Sequence, residues 1–236
     1  MNRAALFDVD GTLADTNHLH VVCWWEALRQ AGHDVAMHDI HRAIGLPGED
    51  LLAHLLGKDR DTSEDDTLSA AHTTLYGTYF DRLPPLDAAA DLLHELDRRG
   101  WRVVLVTSAK DAELDALRRA VDADDAITAT ASSDDVSEGK PAPEPVHHAL
   151  DLADAPARGS VLVGDTVWDM RAGTRADVAC VGLLCGGIPR RDLEEAGARA
   201  VYRHPADLLA RLDISPFADN SDSADPSPTR GREPGE

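Results

Sequence analysis

The stretch Ala4-Ala5-Leu6-Phe7-Asp8-Val9-Asp10-Gly11-Thr12 carries the strongest statement about architecture in the chain. Four apolar residues read as a short buried strand, and that strand runs directly into two acids, a glycine and a threonine. Five further apolar runs have the same character: residues 103–106, 126–129, 161–163, 178–184 and 200–202. Helical patterns lie between most of them, at 87–99, 111–120, 143–152 and 168–176, and Gly100 after Arg98-Arg99 is a good helix stop. Strand and helix repeated in this way predict an α/β fold, a doubly wound and mostly parallel sheet.

Residues 15 to about 83 break the alternation, because only helical patterns occur there: 17–31 ending at Gly32, 49–56 ending at Gly57, and 64–83 ending at Pro84-Pro85. They predict a small all-helical domain inserted behind the first strand through two hinges, near 14–16 and 83–86. The expected division is therefore an α/β core at 1–14 and 85–214, the helical insert at 15–84, and a tail at 215–236. Rich in Ser, Pro, Asp and Gly, that tail is expected to be disordered.

Composition narrows the partners. The 236 residues are 43% hydrophobic and 28% charged, enough for one real core plus an insert. Twenty-three basic against 43 acidic residues give a net charge of −20, which opposes binding to nucleic acid or to anionic membranes. No apolar stretch approaches the roughly 20 residues needed to span a bilayer. Asp8 interrupts the start too early for a secretory leader, and Cys23, Cys180 and Cys185 cannot form a disulfide framework in a chain of this size. A cytoplasmic monomer or homodimer is the expectation, with Cys180 and Cys185 acting as small hydrophobes beside a strand.

In an open parallel sheet, ligands bind beyond the carboxyl ends of the strands. The polar residues expected there are Asp8, Asp10 and Thr12 after the first strand and Thr107 and Ser108 after the second. Gly139-Lys140-Pro141 precedes a helix, and Gly164-Asp165-Thr166 with Asp169 follows the fourth strand. Four carboxylates in one crevice repel one another unless a hard cation such as Mg2+ joins them. With Mg2+ and the Lys140 ammonium, an acidic protein can still hold a phosphate, and the Thr107 and Ser108 hydroxyls are natural contacts for it. Phosphoryl chemistry accounts for the whole set. A calcium loop does not, since Gly11 falls too early and a strand precedes it. Gly139-Lys140 lacks the upstream glycine of a phosphate-binding P-loop, and no Gly-x-Ser-x-Gly elbow occurs.

These motifs, in this order over residues 3–205, resemble the haloacid dehalogenase superfamily, and within it the phosphatases with a helical cap. The resemblance implies roles for each residue. Asp8 is the nucleophile that forms an aspartyl-phosphate, and Asp10 is the general acid and then the general base, so its pKa is expected to be raised. Thr107, Ser108 and Lys140 hold the phosphoryl group. Asp8, Asp165 and the Asp10 carbonyl bind Mg2+, with Asp169 supporting the metal shell or Lys140. The substrate pocket is expected to take His20 and Trp24, one helical turn apart, and the loop at Gly45, though Trp24 also reads as core of the insert and His20 as its polar neighbour. Asp10 argues against dehalogenation. Gly48 stands where phosphonoacetaldehyde hydrolases resemble this segment but place a lysine, and no arginine between Ala43 and Arg60 answers the one usual in β-phosphoglucomutases. A small phosphorylated metabolite is the implied substrate. A phosphomutase remains the alternative, followed by a phospho-aspartate signalling module, which is about half this length and lacks an inserted domain.

Overall fold

In the computed structural model, residues 2–218 are described. Six parallel strands form one sheet: β1 (Ala4–Phe7), β2 (Arg102–Val106), β3 (Ile127–Ala131), β4 (Val161–Gly164), β5 (Ala179–Leu183) and β6 (Ala198–Tyr202), in the order β3-β2-β1-β4-β5-β6. Phe7 stands beside Leu105 on one side and Val163 on the other, so β1 is the central strand at which the order reverses.

Both faces of the sheet are covered, and the alternation of side chains along each strand explains why these runs read as continuously apolar. Ala5, Phe7, Val103, Leu105, Val161 and Val163 join one core cluster, which α5 (Ala89–Arg98), α6 (Asp111–Val121) and α10 (Pro205–Leu209) close. Ala4, Leu6, Val104, Val106 and Leu162 join the opposite cluster, closed by α7 (Glu144–Leu152) and α8 (Val167–Arg175). A short α9 (Arg190–Ala196) packs Leu193 against Met170 and Cys180.

Between β1 and α5 the chain makes a helical block: α1 (Asn17–Gln30), α2 (Met37–Ala43), α3 (Gly48–Leu56) and α4 (Asp65–Gly77). Trp24, Leu28, Ile40, Leu51, Leu52 and Leu68 give it a cluster of its own. Its two connections run side by side, with Asp15 N donating to Pro84 O at 2.9 Å and Leu86 N to Leu13 O at 2.9 Å. The block rests on the sheet domain through His41 Nε2 at 2.8 Å from Gly186 O and an Arg42–Asp192 ion pair at 2.8 Å.

Several boundaries differ from the sequence expectation. The helix expected to reach residue 83 stops at Gly77, and the chain tightens into a 3-10 turn at Phe80–Arg82. Helices α2, α9 and α10 were not expected, being seven, seven and five residues long and too short to show a clear period. The stretch expected to be disordered from 215 is corrected at its start. Phe217 is 1% exposed, with its ring 6.5 Å from Phe7 and 4.9 Å from Trp101, and Ser215 Oγ donates to Leu212 O. Residues 219–236 of that expected tail lie outside the described residues. Among the described residues no helix is long and apolar enough to cross a membrane.

Candidate active site

Asp8 extends the central ladder by one residue, its N–H donating to Val163 O at 3.0 Å, so its side chain emerges where the strand order reverses. The following loop then curls tightly: Leu13 N and Ala14 N both donate to Val9 O, at 2.8 and 3.0 Å. Gly11 makes this possible. Its φ is +76°, and a Cβ there would lie 2.3 Å from Asn17 Nδ2 and 2.4 Å from Asp165 Oδ2.

Two polar clusters grow from this loop. In the first, Lys140 Nζ donates to Asp8 Oδ1 at 2.6 Å and to Val106 O at 2.7 Å, and pairs with Asp169 Oδ1 at 2.8 Å. Asp165 is fully buried and accepts from Thr12 Oγ1 at 3.0 Å and Asn17 Nδ2 at 2.7 Å. Asn17 opens α1, so the helical block supplies a hydrogen bond to a carboxylate of the sheet domain. Asp169 also serves as a helix cap: its carboxylate accepts from Thr166 N at 3.1 Å, while Thr166 Oγ1 accepts from Asp169 N at 3.2 Å.

Asp8, Asp165 and Asp169 offer oxygens within 4.8 Å of one another. Burial pushes the Asp8 carboxyl up to about 7, with Lys140 opposing and Asp169 and Asp10 adding to the rise. Asp165 is raised well above the ordinary carboxylate range, by burial first and then by Asp8 and Asp169. Lys140 is raised as well, because Asp169 and Asp8 outweigh the burial that opposes its charge. Three carboxylates against one ammonium leave an excess of buried negative charge, and an all-oxygen donor set of this kind fits a hard divalent cation.

In the second cluster, Asp10 Oδ1 accepts from Thr16 Oγ1 at 2.6 Å and lies 3.1 Å from His20 Nε2. His20 Nδ1 is 3.1 Å from His72 Nε2, and Glu113 Oε1 stands 3.9 Å from His20 Nε2. The His72 ring stacks on Trp24 with centroids 4.3 Å apart. Asp10 therefore departs from expectation. Burial works against its ionisation, but the charge and hydrogen bond of His20 and the hydrogen bond of Thr16 outweigh it, and the carboxyl is held below its ordinary value. His20 is correspondingly raised, since Asp10 and Glu113 outweigh burial. The carboxyl expected to be raised is thus lowered, beside a histidine that is itself raised.

Both clusters open on a cavity of about 360 Å3 between the helical block and the sheet domain. Of the residues singled out from sequence, Asp8, Lys140, Asp165 and Asp169 converge. Thr107 and Ser108 line the cavity beside them. The Asp10 side chain stands apart from that convergence, in the second cluster with His20. Gly45 lines the cavity wall, and Trp24 both lines it and belongs to the core of the helical block. Sequence reasoning missed Thr16, Asn17, His72 and Glu113. Thr16 and Asn17 follow Asp8 closely as polar residues at a helix start. His72 and Glu113 have no local signal, because each meets His20 only across the fold.

Comparisons with known proteins place the chain in a family. A hydrolase from Pseudomonas syringae of known crystal structure is 34% identical over 90% of this chain and 99% of its own, with a TM-score of 0.85. CbbY from Rhodobacter sphaeroides, solved in complex with xylulose-1,5-bisphosphate, is 26% identical over 88% of this chain and 96% of its own, with a TM-score of 0.74. Among curated proteins, validoxylamine A 7'-phosphate phosphatase from Streptomyces hygroscopicus subsp. limoneus is 27% identical over 78% of this chain and 86% of its own. The profile described as haloacid dehalogenase-like hydrolase matches residues 5–183, a span that holds both clusters in full, and the chain belongs to that family.

Proposed function

We propose that this phosphoric monoester hydrolase is Mg2+-dependent, that it cleaves a small phosphorylated metabolite, and that Asp8 carries the phosphoryl group between two steps. One observation carries the reading: a buried carboxylate stands at the reversal point of the sheet with Lys140 at 2.6 Å, at the foot of a cavity large enough for a metabolite. Asp8 attacks phosphorus in line, and the Asp10–His20 pair delivers a proton to the departing oxygen. In the second step Asp10 accepts a proton from water as it attacks the aspartyl-phosphate. Lys140, Thr107 and Ser108 hold the phosphoryl oxygens. Asp8, Asp165 and the Asp10 carbonyl would hold Mg2+, with Asp169 fixing Lys140; an ion bound there would supply positive charge toward the transferring group.

The helical block acts as a cap over this reaction. It supplies Asn17 to one cluster and His20 to the other, and closing it excludes water from the cavity. The test is hydrolysis of p-nitrophenyl phosphate and a panel of phosphorylated metabolites with Mg2+, beside Asp8→Asn and an EDTA-treated sample. Turnover is expected for the wild type with Mg2+ only. Full activity in Asp8→Asn, or after removal of metal, sinks the assignment.

A further inference from the structure

The second cluster gathers more ligand atoms than proton transfer requires. His20 Nε2 faces two carboxylates at once, Asp10 Oδ1 at 3.1 Å and Glu113 Oε1 at 3.9 Å. One ligand atom from each of Asp10, His20 and Glu113 lies within 4.8 Å of the others. The three residues come from separate elements, the loop after β1, α1 and the first turn of α6, so only the folded chain assembles them. Ligands held at roughly 2.0–2.2 Å by a tetrahedral zinc ion stand about 3.3–3.6 Å apart, and the observed spacings bracket that range. The surroundings hold each ligand in place. Thr16 Oγ1 donates to Asp10 Oδ1 at 2.6 Å, the Tyr76 ring lies against His20 with centroids 3.9 Å apart, and His72 Nε2 stands 3.1 Å from His20 Nδ1. With Nδ1–H donated to His72, His20 Nε2 presents its lone pair to the carboxylates, the outer arrangement that orients a metal-bound histidine. His72 is suited to accept, since burial and His20 push its pKa down to about 3 and keep it neutral.

We infer that Asp10, His20 and Glu113 form a second metal site, for one borderline divalent ion of the zinc class, and that an ion seated there halts turnover. Carboxylate oxygens with an imidazole nitrogen suit Zn2+ better than Mg2+, which prefers an all-oxygen set such as that at Asp8, Asp165 and Asp169. The two sites divide Asp10 between them: its side chain serves this one, and its carbonyl is left to the first. Two carboxylates beside one neutral imidazole leave negative charge unanswered. Burial first, and then Asp10, pushes the Glu113 carboxyl up to about 7, with His20 opposing. An ion between the two acids answers both charges. All three ligands line the cavity, and their side chains are 9–22% exposed, so an ion reaches them by the route a substrate takes. Three protein ligands leave a fourth coordination position open to the cavity. Zinc on Asp10 Oδ1 and His20 Nε2 occupies the atoms that move the proton, so inhibition rests on the phosphatase reading above, whereas binding stands apart from it. Because Asp10 and Glu113 belong to the sheet domain and His20 to the helical block, the ion also ties the two together.

The experiment titrates Zn2+ and, as a coloured substitute, Co2+ into the full chain with Mg2+ in large excess, for the wild type, Glu113→Gln, His20→Asn and Asp165→Asn. One Zn2+ per chain is expected to bind the wild type. Co2+ is expected to give the stronger visible bands of a low-coordinate site with a nitrogen ligand, not the weak ones of a six-coordinate oxygen site. Glu113→Gln and His20→Asn are each expected to weaken Zn2+ binding at least about tenfold and to lose those bands, while Asp165→Asn keeps both. In p-nitrophenyl phosphate hydrolysis, with each sample measured against its own zinc-free rate, Glu113→Gln is expected to need at least about tenfold more Zn2+ for half inhibition. Equal Zn2+ affinity in the wild type and Glu113→Gln overturns the inference, as does binding lost in Asp165→Asn instead, which puts the ion in the oxygen cluster. Zn2+ that binds as described yet leaves turnover at its full rate also overturns it. Should His20→Asn fail to fold, Glu113→Gln decides alone. A wild type that binds Zn2+ as described but never hydrolyses p-nitrophenyl phosphate takes down the phosphatase reading and leaves the metal site standing.

Discussion

Replacing Lys140 with methionine keeps the length of the side chain and removes the ammonium that Asp8 and Asp169 share at 2.6 and 2.8 Å. All three groups are buried, so their charges are poorly screened, and removing one partner of such a pair costs about 3–5 kcal/mol. For a chain of this size that corresponds to a fall in Tm of roughly 6–20 °C. The loss has a definite pH dependence. Asp8 lies at about 7 even with Lys140 present, against 3.8 for an ordinary aspartate. An acid raised in the folded state costs stability above its unfolded pKa, and the cost grows until the pH passes the folded value. Without Lys140 that value climbs further, so Lys140→Met is expected to lie close to the wild type at pH 5 and far below it at pH 8. Mg2+ is expected to recover part of the deficit by supplying the missing positive charge. Thermal unfolding in EDTA at both pH values, then with Mg2+, measures all of this. A Tm within about 2 °C of wild type at pH 8, or a deficit larger at pH 5, refutes the charge argument.

Three further perturbations probe other parts of the molecule. His20→Asn removes the main partner that holds Asp10 low, so the acid limb of the kcat/KM profile is expected to move to higher pH, and an unmoved limb contradicts the role given to the Asp10–His20 pair. Gly139→Ala places a Cβ 2.2 Å from Pro47 Cγ, where the helical block meets the sheet domain. The expected result is a kcat/KM loss on the order of 10²-fold with little change in Tm, and a large fall in Tm would show that the clash unsettles the core instead. Phe217→Ala opens a space beside Phe7 and Trp101 and is expected to cost about 3–5 kcal/mol in urea unfolding; a loss under about 1 kcal/mol would mean the ring merely rests there.

What could be read from sequence follows from how locally each feature is encoded. A buried parallel strand is a run of apolar residues, and its carboxyl end is fixed by the chain itself, so Asp8, Thr107 and Asp165 were placed by position alone, while Lys140 was read from its place just before a helix. Asp169 was readable for a second reason, since the spacing from Thr166 is that of a capping box. Phe217 shows the opposite case. A polar, Pro-rich neighbourhood hid one aromatic residue whose partners, Phe7 and Trp101, are distant in sequence. The protonation of Asp10 was misread for the same reason. Its expected rise followed from the general-acid role that the resemblance implies, whereas in the fold the charge and hydrogen bond of His20 on α1, itself backed by His72 on α4, outweigh burial and hold it low. Asp10 lies in the loop after β1, His20 and His72 in the helical block and Glu113 on α6, so the packing of the helical block on the sheet domain creates that environment. That arrangement joins residues of four separate elements, which no window of local sequence expresses.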